Sequence, residues 1–243
     1  MSSVVFVNAL RMRLLLLALC APAVVMPGLA RADAPANPPP PAAATAAPGA
    51  GLSDASTAPA VVNVDGFRSA KFGMSVDEVK AAIVKDFGVK PTAISTGQNT
   101  AERTAVLGVS VPDLLQDGGT AQVSYVFGYK SKTLIQVGIS WSQATDPTMT
   151  PAKLYADGDA LRAHFVTEGY KPDTVKTGLV LPNGLLLFRG EDEAGHATIL
   201  ILQGSFKADA ASKQQVLTPT SLALLYSANP QNPDVFKISP GQF

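Results

Sequence analysis

Two segments about 80 residues apart carry the same signals for beginning and ending a helix. Residues 74–79 read Met-Ser-Val-Asp-Glu-Val, and residues 149–154 read Met-Thr-Pro-Ala-Lys-Leu. In each segment the hydroxyl residue is a good N-cap, and the apolar residue four positions later can pack on the preceding methionine. Each predicted helix is followed by the pattern Gly-x-Lys-Pro, at 88–91 and at 169–172. This repetition predicts an internal duplication.

Both segments place their apolar side chains at helical spacing. In the first, Ser75 and Glu78 form a capping box and Gly88 marks the end. In the second, Thr150 is the N-cap and Gly169 marks the end. The apolar face of the first helix contains Val76, Val79, Ile83 and Phe87, and that of the second contains Leu154, Leu161 and Phe165.

Segments typical of β-strands follow each predicted helix. The first helix precedes strands at 103–111, 121–129 and 133–142. The second precedes strands at 185–190, 197–206 and 221–228. Antiparallel strands behind helices are typical of the α+β class. We expect a tandem αβββ repeat over 61–243, with repeat 1 at about 61–145 and repeat 2 at about 146–243. Its antiparallel sheet should carry both helices on one face.

The hairpin formed by 121–129 and 133–142 has two unlike faces. Its aromatic and aliphatic face should pack against the helices, and its small polar face should look outward. Glycine inside a strand often marks the close approach of another backbone, so the polar face is the candidate partner-binding surface. The C-terminal tail, 229–243, could instead cross this face. The candidate binding residues are Gln122, Ser124, Gln136, Ser140 and Ser142, with Gly128 and Gly138 beside them.

The first 60 residues have the pattern of an export signal followed by a linker. Arg11 and Arg13 precede 13 apolar residues, and Ala30-Arg31-Ala32 has the small residues of a cleavage site. We therefore expect a signal peptide at 1–32, with translation starting at Met1 or Met12, and a periplasmic mature chain with no transmembrane span. Leu19 stands before Cys20 where a lipobox needs a small residue, which argues against lipid anchoring. Residues 33–60, with seven prolines and two charges, should form a disordered linker.

Charge and residue usage restrict the chemistry of the mature chain. Removing residues 1–32 leaves 16 basic and 19 acidic side chains, a balance that gives no overall attraction for nucleic acid or anionic lipid. The only cysteine is lost with the signal peptide. We interpret His164 as a partly buried structural residue. His196, beside the acidic turn 191–193, is better explained by a solvated hairpin tip than by a metal site. No cofactor or metal is expected.

Motifs for catalysis are incomplete. The sequences around Ser110 and Ser140 lack the closing glycine of a nucleophile elbow and do not lead into a helix. No phosphate-binding glycine loop occurs. We expect a non-enzymatic envelope protein that binds a protein or envelope component through its sheet face or rim. A periplasmic hydrolase of unknown substrate is the alternative, and a structural spacer is a third class. The oligomeric state is left open.

The first helix opening also resembles a known motif. Phe72-Gly73-Met74-Ser75 with Val79 resembles the F-G-M-[ST]-x-x-x-V opening of SmpA/OmlA-type outer-membrane assembly lipoproteins and of the secreted β-lactamase inhibitor protein. The resemblance to the inhibitor implies a tandem repeat with a concave sheet. The inhibitor family uses disulfides, and the lipoproteins have one repeat and a true lipobox, unlike this chain. Gly66-Phe67-Arg68 and the segment 229–236 resemble exported alphaproteobacterial proteins, which implies no particular activity.

Overall fold

The structure, a computed structural model, describes residues 61–208, 214–238 and 241. The predicted signal peptide at 1–32 and the predicted linker at 33–60 lie outside the described residues. Within the described part of the chain, neither helix has the length and apolar character needed to span a membrane.

Two helices and one large antiparallel sheet form the fold, which confirms the α+β class. A two-stranded sheet comes first, and eight further strands form the large sheet in the order β3-β4-β5-β6-β10-β9-β8-β7. The elements are β1 (Gly66–Phe67), β2 (Ala70–Lys71), α1 (Val76–Phe87), β3 (Ser95–Asn99), β4 (Thr104–Val111), β5 (Ala121–Phe127), β6 (Leu134–Ser142), α2 (Pro151–Val166), β7 (Leu179–Leu181), β8 (Gly184–Glu191), β9 (Ala197–Ala208) and β10 (Gln215–Ser227).

Each half of the chain is one helix followed by four strands rather than the predicted three. The missing strands are the two sheet edges, β3 and β7. The sequence Ser-Thr-Gly-Gln-Asn of β3 has no apolar alternation, and β7 has only three residues, so neither gave a strand signal. Strand order from each edge to the centre is the same in both halves, and β6 pairs with β10 where the halves meet.

The ends of α1 follow the predicted capping scheme. The Ser75 side chain accepts from the Glu78 N–H, and the Glu78 carboxylate accepts from the Ser75 N–H at 2.8 Å. These hydrogen bonds, from the Ser75 hydroxyl first, lower the pKa of Glu78. Gly88 takes the left-handed conformation with φ 64°, as the C-cap prediction requires.

The beginning of α2 agrees with the sequence and its end does not. Thr150 accepts from the Lys153 N–H, and Pro151 opens the helix. The helix ends at Val166 with Thr167 as C-cap, where Gly169 was predicted to end it. The Thr167 hydroxyl donates to the His164 carbonyl at 2.7 Å, which closes the last turn early. Prolines of both Gly-x-Lys-Pro patterns open short 3₁₀ turns, Pro91–Ala93 and Pro172–Thr174.

One continuous core lies between the sheet and both helices. Alternate residues of β5 and β6 turn their large side chains to this side, and Tyr125 and Trp141 are fully buried there. Val79 of α1 and Leu154 of α2 belong to the same core, so both helices cover the same face, as predicted. Gly158 lets α2 approach closely, because a Cβ there would stand 2.7 Å from Leu187 Cδ1.

Candidate functional site

The face of the large sheet opposite the helices contains an open groove of about 670 Å³. It follows the side chains of β4, β5, β6 and β10 that alternate with the core residues. Ser142 and Thr145 stand at one end, and Asn99 and Val235 stand at the other. All five candidate binding residues lie in its lining: Gln122, Ser124, Gln136, Ser140 and Ser142.

The groove is lined by neutral side chains. Among its described lining residues only Glu102 carries a formal charge, and its carboxylate accepts from Asn99 Nδ2 at 2.8 Å. Serine, threonine, glutamine and asparagine alternate with aliphatic residues, and the lining includes no aromatic ring. Lining residues beyond the predicted five include Thr104, Val106, Gly108, Val126, Ile135, Gln143, Met149, Gln203, Thr218, Pro219, Ser221, Ala223 and Leu225.

Hydrogen bonds divide the predicted residues into engaged and open side chains. The Ser124 hydroxyl donates to the Gly138 carbonyl at 3.1 Å, and Gln122 accepts from the Ser110 hydroxyl at 2.9 Å. Ser142 lies 3.3 Å from the Thr145 hydroxyl. The side chains of Gln136 and Ser140 have no hydrogen-bond partner among the described residues. These two side chains, both half-buried, are available to a ligand.

The two glycines of the predicted surface are required by the protein itself. A Cβ on Gly138 would stand 2.8 Å from Ser124 Oγ, so the space above Gly138 holds a side chain of the neighbouring strand. A Cβ on Gly128 would stand 2.3 Å from both Asp234 Oδ2 and Ser131 Oγ, and Gly128 is not among the groove residues. The expectation that these glycines leave room for an incoming backbone is therefore wrong.

The C-terminal tail closes one end of the groove. Asp234 accepts hydrogen bonds from the N–H groups of Lys130 at 3.0 Å and Ser131 at 2.8 Å, in the β5–β6 turn. These bonds lower the pKa of Asp234, and the bond from Ser131 has the largest effect. Pro233 and Val235 stand in the groove wall, and Ser124 and Ser140 remain in its lining. The described part of the tail thus forms a rim.

The loop between β6 and α2 forms the opposite wall. Asp146 fixes this loop by accepting from the Thr120 N–H at 2.9 Å and from the Thr148 hydroxyl at 2.7 Å. The hydrogen bond from Thr120, then those from Thr148, lower the pKa of Asp146 to about 2. The loop therefore keeps this arrangement at neutral and mildly acidic pH.

The second half of the same face is apolar. Leu186, Ile199 and Leu225 are buried there, and Leu179 and Leu181 of the edge strand pack against them. Leu225 also lines the groove. The sequence showed this half only as apolar residues on both faces of 197–206, and nothing in that pattern indicated that it borders the groove.

No protein-family model, curated protein or solved structure matches this chain. The resemblance of the helix opening to assembly lipoproteins and to the β-lactamase inhibitor protein therefore stays a prediction. Function is accordingly inferred from the geometry of the groove and its surroundings.

The two histidines lie outside the groove. The His164 side chain is 62% exposed and stands 3.1 Å from a Glu168 oxygen, so its prediction as a partly buried residue is wrong. Asp192, beside His196, is buried and accepts from the N–H groups of Val64 and His196, both at 2.9 Å. The acidic turn is thus anchored to the start of the domain rather than fully solvated. The described residues contain no cluster of three metal-ligating side chains.

Proposed function

We propose that this chain is a non-enzymatic envelope protein that binds a protein or envelope component along the groove. The observation that carries the proposal is a neutral groove on the uncovered face of a rigid sheet, with Gln136 and Ser140 half-buried and unengaged. Half-buried polar groups without partners gain a hydrogen bond when a ligand replaces water. Such positions are suited to recognition.

The chemistry of the lining indicates the kind of ligand. Amide and hydroxyl side chains can pair with neutral donors and acceptors, and the apolar residues between them can contact small aliphatic groups. A charged ligand would lose hydration without a compensating ion pair in the described lining. A neutral, extended segment of a partner, such as a stretch of polypeptide, satisfies both conditions.

A periplasmic hydrolase remains the second class, and the groove supports it less well. Hydrolysis of an ester or amide needs a nucleophile next to a group that can accept its proton. The described lining has several hydroxyls, but it has no histidine or lysine, and its one carboxylate is bonded to Asn99. Binding without chemistry requires fewer groups, and those groups are present.

Export to the periplasm is part of the proposal. The sequence pattern of 1–32 supports it, and the predicted cleavage follows Ala32. The intact mass of the protein recovered from the periplasmic fraction tests it. A mass that begins at Asp33 is expected. A mass that retains residues 1–32, or one that includes a lipidated Cys20, contradicts it.

Site-specific photocrosslinking tests the binding role. A photoreactive amino acid replaces Ser140 in the groove, and in a matched control it replaces Ala163, which is exposed on the outer surface of α2. After irradiation of intact cells, we expect a discrete adduct from position 140 and none from position 163. Equal adducts from both positions, or none from either, would contradict the proposal.

A further inference from the structure

Three segments meet at the end of the sheet that carries the tail, outside the groove. The Phe236 N–H donates to the Glu102 carbonyl at 2.9 Å, which joins the tail to the β3–β4 turn. The Tyr129 N–H donates to the Asp234 carbonyl at 2.8 Å, which joins the tail to the β5–β6 turn. We call the exposed and half-buried side chains of this junction the basic rim: Arg103, Tyr129, Lys130, Lys132, Phe236, Lys237 and Ile238.

Cations and aromatic rings alternate in space along the basic rim. The Arg103 guanidinium lies 3.7 Å from the centre of the Phe236 ring. Phe236 meets Tyr129 edge-on, with 5.5 Å between ring centres, and Lys132 Nζ lies 5.2 Å from the Tyr129 ring. Arg103 and Lys132 both have left-handed backbone, with φ 53° and 58°, so each turn holds its cation in a defined place.

The positive charge of the rim is not neutralised by the domain. Among the described residues, Arg103, Lys130, Lys132 and Lys237 form no ion pair. The two nearby acids are already engaged, since Glu102 is bonded to Asn99 and Asp234 to backbone N–H groups. Ile238, next to this charge, is 58% exposed. Net charge, which is mildly acidic for the predicted mature chain, hides this local cluster.

We propose that the basic rim docks the domain on an anionic membrane surface. Lysine and arginine attract acidic lipid headgroups, while aromatic side chains lie at headgroup depth and an exposed aliphatic side chain enters below it. The rim offers all three at one end of the sheet. The binding is peripheral, and the groove stays open beside it. This inference concerns a second surface and does not depend on what the groove binds.

Vesicle sedimentation tests the inference, with the form of the protein recovered from the periplasmic fraction. We compare phosphatidylglycerol–phosphatidylcholine vesicles with phosphatidylcholine vesicles at low salt. Binding to the anionic vesicles only is expected. Each neutralised cation should lower partitioning about fivefold, so Arg103→Gln/Lys132→Gln should lower it roughly 25-fold. The control Lys85→Gln/Lys90→Gln, with the same loss of charge near the end of α1, should change it little.

Further arms keep the test decisive. If Arg103→Gln/Lys132→Gln unfolds the protein, Lys130→Gln/Lys237→Gln removes exposed cations without disturbing the ring contacts and should lower binding to a similar extent. Ile238→Ser should weaken vesicle binding and leave heparin binding unchanged. Equal effects of the rim and control variants would overturn the inference. So would displacement by millimolar inorganic phosphate, which indicates a small-anion site, or heparin binding with no vesicle binding, which indicates a polyanion site.

Discussion

The two faces of the large sheet are built from the same strands and have opposite roles. Tyr125, Ile139 and Trp141 project to the covered face and pack under two helices. Their chain neighbours Ser124 and Ser140 project to the open face and line a groove. Since strand residues alternate between faces, a single hairpin specifies both a core and a surface. The comparison indicates that the covered face supplies stability and the open face is available for recognition.

The open face itself changes character across the centre of the sheet. Its first half is polar and neutral, and its second half, around Leu186, Ile199 and Leu225, is apolar and buried without a helix over it. The groove lies at the boundary, where Ala223 and Leu225 of β10 meet the serines and glutamines of β5 and β6. A duplicated fold has therefore kept one architecture in both halves and changed the chemistry of one face.

The largest expected effect comes from the covered face. Phe165 is buried and stacks on Phe188 with ring centres 5.5 Å apart, so Phe165→Ala should cost about 3–5 kcal/mol of folding free energy. Phe87 has the same place at the end of α1, but it is half-buried under the Arg68 guanidinium, so Phe87→Ala should cost about 1–2 kcal/mol. Urea denaturation measures both. Equal costs would show that the two helices contribute alike to the core.

An intermediate effect is expected at the tail that closes the groove. Asp234→Ala removes the acceptor for Lys130 and Ser131 and should cost about 1 kcal/mol, as the loss of a helix cap does. Hydrogen exchange should accelerate at the N–H groups of Lys130, Ser131 and Phe236. Asp173→Ala, at an exposed position, is the control. Unchanged exchange at these three positions would mean that the tail is held by its other contacts.

A smaller effect of opposite sign is expected at Asp157, on the covered side. Asp157 is buried on α2, its Oδ2 atom has no hydrogen-bond partner in the described structure, and burial raises its pKa despite Lys153 nearby. A carboxyl group whose folded-state pKa is raised costs nothing below its unfolded pKa, and it loses stability as pH rises through that value towards the folded pKa.

Asp157→Asn removes this cost and should stabilise the protein by about 1 kcal/mol at pH 7. The gain over wild type should shrink as the pH falls below about 4, where the unfolded-state carboxyl is also protonated. Asp159→Asn, two residues along α2 and exposed, should show no such gain. A gain that persists unchanged at low pH would mean that the effect does not come from ionisation.

Local signals predicted the parts of the fold that depend on nearby residues. The cap at Ser75, the start of α2 at Pro151 and the alternation of β5 and β6 follow from side chains within a few positions of each other. The edge strands were missed because edge positions need no apolar pattern. The end of α2 was misplaced because Thr167 gave the chain a closing hydrogen bond before Gly169.

The candidate site divides in the same way. Its floor could be predicted because Gln136 and Ser140 lie on one side of one hairpin. Its walls could not, because Asp234 meets the β5–β6 turn from 103 and 104 residues away in the chain. The basic rim was missed for the same reason, since Arg103, Lys132 and Phe236 come together only through the sheet.

The most direct test of the binding role is a charge scan of the groove, using the partner identified by crosslinking at position 140. Ser124→Arg and Ser140→Arg place a cation in the neutral lining, and Ala163→Arg places one on the outer surface of α2. We expect all three variants to unfold within a few degrees of wild type. The groove variants should bind the partner at least about tenfold more weakly, and the control should bind like wild type. Groove variants that bind normally, or that lose binding because they unfold, would contradict the account of an open recognition face.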